Sequence, residues 1–494
     1  MHSQNNFFYM KRILLFAVSL MSLCAWAQPK STAPLSPAES KARLQQLGDS
    51  LRKYDYFEFF DAHGWMVVGN MTETDRLTNT THYGIINDKG QTVLPCEYHC
   101  IRVQENSDLI MVSRNDTAAG FMNRQLEWVI PPKYYGWLWC DLEMDFFSYG
   151  MIVVQDSSLK YGVVDSFGNE VLPCRYQWLE IAGPDLFVIN GDKAGVINRN
   201  GDTVIPFVYE HLRYFGNNSF EAKKQGQYGV ISASGQEILP FVYESVLGCY
   251  NGFYSVNQHD KWGVVDSLGN VVIPIKYETQ HVCFVHEMGL VEMGGSPWSY
   301  GMDNYLPEKM QLLNMKGEVL FQGYDASIPN QSGDRIALLF DNEDRDATCE
   351  IYDRNGKKVD AFDEFSFDGI DWVNGTTMIP VKRNGKWGFV NRDFQLIVPC
   401  QYDAPVTGLR GYGNVKTGKG LTALIDEQGR QLVSGPYYWI SSPTVNGWFM
   451  VGSYSSDPME RRTGFIDRYG NTTFTEEELR QIEQWHNEEQ RSRR

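Results

Sequence analysis

An aromatic-glycine pair, two aliphatic residues, a polar hairpin turn and a Val/Ile-Pro strand recur along most of this 494-residue chain. One copy reads Tyr161-Gly162-Val163-Val164-Asp165-Ser166-Phe167-Gly168-Asn169 and closes with Val171-Leu172-Pro173-Cys174-Arg175-Tyr176. Another reads Trp262-Gly263-Val264-Val265-Asp266-Ser267-Leu268-Gly269-Asn270 and closes with Val272-Ile273-Pro274-Ile275-Lys276-Tyr277. The glycine of the pair falls at 84, 120, 162, 195, 229 and 263, with Gln311 and Glu350 in its place further on, then Gly388, Ala423 and Gly464. Such a period constrains the fold more than any local propensity does, because each copy is one supersecondary unit that buries its core against its neighbours.

Each copy predicts an antiparallel meander of about three strands. A variable strand such as Gly252 to Asn257 comes first, the aromatic-glycine strand second, and a strand ending in Pro-x-x-Tyr third. Between the last two, Asp165 to Gly168 has the form of a hairpin loop, with the Asp side chain bonding the backbone and Gly taking φ > 0. Phe394 stands where other copies have that glycine, which predicts a different or strained turn. Apolar residues occupy both parities of the strands, so both faces are buried, as in small sheets stacked face to face. The glycine is expected to make room for the aromatic of a neighbouring sheet, and Pro173, Pro206, Pro240 and Pro274 mark edge strands.

This pattern resembles the WG repeat, also called KWG, of bacterial proteins, over about residues 54–474. Departures are Ala119, Ala194 and Thr463 at the aromatic position and the copies at Gln311, Glu350 and Ala423 that lack the glycine. The resemblance implies a β-rich interaction array, often exported, with no catalytic activity tied to the motif, and it carries over no functional residue. The expected class is all-β, with three- to four-stranded repeats in a propeller-like or superhelical array. Eleven copies exceed the usual four to eight blades, which leaves two rings meeting near residues 290–360 or one open superhelix. Ser36-Pro37-Ala38-Glu39 before Leu44, Leu47 and Leu51, and Thr475 to Glu478 before Leu479 and Ile482, read as capping boxes of terminal helices that would cover open sheet edges.

Lys11-Arg12, the apolar run Ile13 to Leu23 and Ala25-Trp26-Ala27 form a secretory signal over residues 1–27. An alternative is a lipoprotein acylated at Cys24, although Leu23 occupies the position that normally holds a small residue. The remaining divisions are a capping helix over 28–53, regular repeats 1–6 over 54–288, degenerate repeats 7–8 with an insertion over 289–365, repeats 9–11 over 366–474 and a helix over 475–494. No later stretch reaches the length of a transmembrane helix. The chain is therefore expected to be periplasmic or secreted. Removing the signal takes only Lys11 and Arg12 from 44 basic residues against 61 acidic ones, moving the net charge from −17 to −19. Without a clustered basic stripe, nucleic acid is not an expected partner.

Cys96, Cys174 and Cys400 follow the repeat Pro, a slot held elsewhere by Phe207, Phe241 and Ile275, and so read as small buried hydrophobes. That removes a ligand from Cys96-x-x-His99-Cys100, and no metal or cofactor is expected. Cys249 and Cys283 occupy equivalent places in adjacent copies, too far apart for a disulfide if sheets stack. The acidic run Asp341, Glu343, Asp344, Asp346 lacks the glycine turn of a calcium loop. Trp137, Trp139, Trp178 and Trp439 fall just after third strands, where they serve either as a sugar-stacking platform or, more simply, as packing between sheets. The enlarged step before Gln311 contains Gly294-Gly295-Ser296-Pro297-Trp298, a recognition-loop candidate built on Gly295, Pro297 and Trp298. Catalytic motifs are absent from the sequence, and no enzyme activity is expected. The expected function is an exported, noncatalytic scaffold binding an unidentified protein at the bacterial envelope. The alternatives are a glycan-binding module using the loop tryptophans and a glycan-active hydrolase.

Overall fold

A computed structural model describes residues 35–61, 63–71, 81–103, 108–114, 118–135, 147–216, 218–250, 252–277, 281–285, 289–294, 310–340, 348–365, 377–404, 406–418, 420–454 and 462–492. Among these residues the chain is all-β between two terminal helices, α1 (Pro37–Leu51) and α2 (Glu476–Ser492). Eleven antiparallel blade-like sheets follow one another along the chain, nine of four strands and two of three. Each carries one copy of the recurring phrase, and we number them 1 to 11 accordingly. Sheet 6 is a regular example, with strands Ser245–Tyr250, Phe253–Gln258, Lys261–Asp266 and Val271–Tyr277 in that order.

Most sheets thus have one strand more than the meander read from the sequence, and the added strand comes first. After the Tyr of Pro-x-x-Tyr the chain passes straight into the next sheet: Trp178–Ile181, two residues beyond Tyr176, pairs with Leu186–Asn190 of sheet 4. The boundary was hidden because a one-residue crossing has no room for Gly or Pro punctuation.

The turn after the aromatic-glycine strand, the third of a four-stranded sheet, is built alike in all eleven sheets. In sheet 6, Asp266 Oδ1 accepts from the amides of Leu268 (2.8 Å) and Asn270 (2.9 Å), and Gly269 takes φ +79°. The bond from the Asn270 side-chain amide, ahead of burial, holds the Asp266 carboxyl below its ordinary range. Phe394 keeps the same turn, its amide donating to Asn391 O at 2.9 Å, and accepts a left-handed φ of +58°. Its ring, 2% exposed and edge-on to Phe365 at 6.2 Å, holds it there. Leu126 does the same in sheet 2 at φ +66°, an exception the sequence reading missed.

The motif glycine serves its own sheet, which corrects the expected contact with a neighbour's aromatic. In sheet 6, Trp262 pairs with Tyr277 and Val264 with Ile273, so Pro274 to Lys276 bulge outward over Gly263. A Cβ there would lie 2.7 Å from both Ile273 O and Ile275 Cα. The residue after Pro lies over the gap: Ile275 Cγ1, the Phe207 ring and Cys174 Sγ come within 2.8, 2.8 and 2.9 Å of the Cβ positions of Gly263, Gly195 and Gly162. Cys96, Cys174 and Cys400 are accordingly half-buried lids, not buried core. The fourth strand is an edge, as its Pro implies, with only alternate positions such as Leu239 and Tyr243 buried.

The chain divides into two compact units. Unit 2 takes residues 117–120 and 128–361, and runs without a break through 290–360. Within it sheets 3 to 8 stack in order, each pair sharing a core such as Trp262, Val264 and Ile273 against Phe284, Val291 and Leu313. Unit 1 takes residues 1–116, 121–127 and 362–494. Within it sheets 9, 10 and 11 stack in order, and sheet 11 then packs on sheet 1, so the two ends of the array meet. An open superhelix with separated ends does not describe these residues.

Both helices belong to that meeting point. Ser36 caps α1 in a full capping box with Glu39, and Leu44, Leu47 and Leu51 enter one core with Phe60, Met66 and Val68 of sheet 1 and Trp448, Met450 and Phe465 of sheet 11. Trp448 Nε1 donates to Ser40 Oγ (3.0 Å), which donates to Asp467 Oδ2 (2.6 Å), all three buried. Sheet 11 has no fourth strand. Thr473 exchanges backbone and hydroxyl bonds with Phe465 at 3.0 Å, and Phe474 lies over Gly464. Then α2, capped by Thr475 and Glu478, seats Ile482 in the core of sheets 10 and 11. The helices therefore seal seams between sheets; the expected role of covering open edges is corrected.

Candidate functional site

Trp178 and Trp439 both lie on first strands, of sheets 4 and 11. Trp178, in unit 2, is 40% exposed. Trp439, in unit 1, packs its indole Nε1 2.4 Å from the Cβ position of Gly452 and against the core around α1. Trp439 is thus a packing residue, and the two do not form one platform within either unit. Trp137, Trp139, Cys140, Gly295, Pro297, Trp298 and the acidic run 341–346 lie outside the described residues, as do the side chains of Cys249 and Cys283.

Cys96 Sγ rests on Val68 O at 3.9 Å, and burial pushes the thiols of Cys96 and Cys100 up. Among the described residues no group of three or more His, Cys, Asp or Glu side chains is placed to hold a metal. No helix among them is long and apolar enough to cross a membrane.

A cleft of about 550 Å³ lies in unit 1, between sheets 10 and 11. Gly411 and Tyr412 at the start of a strand, the turn Asp426 to Arg430, and Leu432 line it from sheet 10. Pro443, Phe449 and Arg468 line it from sheet 11. The sequence reading missed this site, because its residues come from five segments whose meeting depends on how two sheets stack.

Most charges in the cleft are committed. Burial pushes the Asp426 carboxyl up, but amide and guanidinium bonds from Arg430 outweigh it and hold the group below its ordinary range. Arg430 Nε reaches Asp426 Oδ2 at 2.7 Å and its Nη2 reaches Gln428 Oε1 at 3.2 Å. Glu427 accepts from Thr377 Oγ1 at 2.8 Å, and that hydroxyl accepts from the amide of Gly411 at 2.7 Å. Burial, then the charges of Asp426 and Glu427, push the Tyr412 phenol up, so it stays an uncharged donor at neutral pH. Arg468 is exposed and has no hydrogen-bond or ion-pair partner among the described residues. Phe449 is 2% exposed and offers no open ring face.

Unit 2 holds a second polar cluster, between sheets 4 and 5. Arg213 Nε pairs with Glu221 Oε2 at 2.9 Å, and Glu221 is 5% exposed. Burial pushes both Glu180 and Glu221 up; the Tyr214 amide and then Arg213 oppose the shift at Glu180, and Arg213 opposes it at Glu221. Glu180 Oε2 is buried with no hydrogen-bond partner. Arg213 pairs with Glu221 and acts on Glu180 through its charge alone, a grouping invisible to sequence spacing.

Seven segments match the family model for the WG containing repeat, at residues 83–116, 120–157, 161–181, 195–226, 228–262, 262–295 and 387–404. They begin at or beside the aromatic-glycine strands of sheets 1 to 6 and 9, so the matched segments carry WG repeats. Among curated proteins none matches the chain. A solved structure described as a crystal structure of the eukaryotic initiation factor aligns with 58% of this chain and 82% of its own, at 10% identity and a TM-score of 0.29. A likeness at that level carries no argument about this chain.

Proposed function

We propose that this chain is an exported, noncatalytic β-repeat scaffold that holds a protein partner at the bacterial envelope. The observation supporting it is how fully the recurring residues are used up internally. The turn Asp bonds its own hairpin, the glycine admits the Pro bulge, and the post-Pro residue covers the glycine. What differs from sheet to sheet are the connections: between second and third strands, two residues in sheet 6 and fifteen between Gly294 and Met310 in sheet 7; between first and second, two residues in sheet 6 and thirteen between Phe365 and Ile379 in sheet 9. Variation confined to loops on a rigid frame suits recognition. Export rests on Lys11-Arg12 and the apolar run that follows.

The test is affinity capture from envelope and culture-supernatant extracts with the chain beginning at Gln28 as bait, followed by direct binding of each purified candidate. A protein that binds the purified chain in isolation is the expected result, and its loss on deleting Gly294 to Trp298 would place the contact in that loop. Recovery of no such protein would sink the scaffold reading. The exposed ring of Trp178 favours a glycan-binding alternative, which predicts Trp fluorescence quenching by an envelope or host polysaccharide that Trp178→Ala abolishes. The buried carboxyls of Glu180 and Glu221 are where a hydrolase reading would look first, with turnover lost in Glu180→Gln.

A further inference from the structure

The second residue of the turn after the third strand is Arg in five sheets: Arg124, Arg199, Arg354, Arg392 and Arg468. Three of these show what the position does. Arg124 pairs with Asp61 Oδ2 at 2.5 Å, Arg199 Nε donates to Pro184 O at 2.7 Å, and Arg354 Nε donates to Gly333 O at 2.5 Å. All three acceptors lie on or at the end of a connection between first and second strands. The guanidinium normally ties two hairpins together. Arg468 departs from this, with no partner among the described residues although it sits in the same turn.

In its own sheet the receiving connection would be Thr444 to Gly447, between Tyr437–Pro443 and Phe449–Ser453. There Asn446 Nδ2 is buried and also has no acceptor. Two donors at one end of sheet 11 thus lack acceptors among the described residues; the Asn446 amide, buried beside the cleft lining and not part of it, is the one whose burial calls for an explanation. Arg468 also lines the cleft, where Arg430 is spent on Asp426 and Glu427 on Thr377. Arg468 is therefore the charged group in the cleft with no partner among the described residues, while Glu427 keeps its negative charge beside the Thr377 hydroxyl.

We propose that the cleft between sheets 10 and 11 binds an extended peptide segment, which presents an acidic side chain to Arg468 and aliphatic side chains to Leu432 and Pro443. This rests on the scaffold reading and names the partner's chemistry. A carboxylate is the planar acceptor that a guanidinium fork matches. Tyr412 supplies a neutral hydroxyl for a peptide carbonyl. An acidic polysaccharide fits less well, because it brings no aliphatic side chains to Leu432 and Pro443 and Phe449 offers no open ring face for stacking.

The test uses the full mature chain and fluorescence anisotropy with a labelled decapeptide of alternating Glu and Leu. Its Gln/Leu and Lys/Leu counterparts and polygalacturonate serve as the comparison probes. The Glu/Leu peptide should bind, with an affinity that falls as salt rises, and Arg468→Gln should weaken it about tenfold, the loss of one charge-assisted contact. Arg199→Gln, the equivalent turn arginine in unit 2, should leave it unchanged. Equal binding of the Gln/Leu or Lys/Leu peptide, an unaltered Arg468→Gln variant, or no binding of any peptide overturns the proposal. Binding of polygalacturonate that depends on Arg468, without peptide binding, overturns it in favour of carbohydrate. A purified protein partner that binds wild type and Arg468→Gln alike would leave the scaffold standing and this cleft assignment refuted.

Discussion

The joint between sheets 6 and 7 and the joint between sheets 11 and 1 do the same work with different means. At the first, Trp262, Val264 and Ile273 meet Phe284, Val291 and Leu313, and every residue of sheet 6 in that core belongs to the recurring phrase. At the second, α1 is wedged between the sheets and a buried Trp448-Ser40-Asp467 chain crosses between residues 408 and 427 positions apart. Neighbouring sheets close short loops, whereas the ends close nearly the whole chain, at a larger entropic cost. The end joint must therefore bring extra apolar surface and extra hydrogen bonds, and α1 supplies both.

The largest expected effect lies at that joint. Trp448 is 1% exposed, and Trp448→Ala should cost about 3–5 kcal/mol. Hydrogen exchange reads where the loss falls. Amides of α1 should lose protection while those of Lys261–Asp266 keep theirs. Equal loss in both would mean that the ends do not form a separate cooperative unit, which would break the comparison.

Next in size is a matched pair of glycines. A Cβ at Gly263 would meet backbone, Ile273 O and Ile275 Cα at 2.7 Å, held by the bulge of a paired fourth strand. At Gly464 it would meet side-chain atoms, Phe474 Cζ and Thr473 Oγ1 at 2.6 Å, which can yield without a backbone shift, at the expense of the Thr473 bond to Phe465. Gly263→Ala should therefore cost about 1–3 kcal/mol, and Gly464→Ala distinctly less, by urea denaturation. The reverse order would show that residues 472–474 hold the edge of sheet 11 as rigidly as a true strand.

Much of this was written plainly in the sequence. Eleven copies of a phrase became eleven sheets, and the turn chemistry of Asp266 and Gly269 followed from residue type alone. Both capping boxes formed where Ser36 and Thr475 stand. These features are local, so a stretch of ten residues contains all the physics that produces them. What escaped was non-local or unmarked: the first strand beginning at Trp178 without a turn before it, the bulge over Gly263 and the bond from Ser40 to Asp467. Arg468 was the least legible of all. Its residue type matches Arg199, and only the missing partner sets it apart.

The turns themselves should not distinguish the two regions. Gly269 and Gly470 sit at φ +79° and +85° with nothing within 4 Å of their Cβ positions, so a methyl group meets no obstacle in either. The remaining cost is that of left-handed backbone for an L-residue, about 1 kcal/mol each. Gly269→Ala and Gly470→Ala should shift the urea midpoint by similar amounts. A clear difference would mean that Asp467, which bonds Ser40 as well as its own turn, stiffens the hairpin at the end joint.

The smallest effect belongs to the turn that already lacks its glycine. Leu126 holds φ +66°, and relieving that strain with Leu126→Gly gains about 1–2 kcal/mol. Two terms oppose it. Glycine widens the unfolded ensemble by about 0.4–1 kcal/mol. The side chain is half-buried against the core of Ile85, Leu94 and Val112, and losing it costs about 1 kcal/mol. The variant should therefore lie within about 1 kcal/mol of wild type, with an unchanged denaturant slope. The same swap at Phe394 has no such balance, because that ring is 2% exposed and its loss opens a cavity. A strong destabilisation in Leu126→Gly would show that Leu126 is held, like Phe394, by its packing; a clear gain would show that the turn geometry alone governs that hairpin.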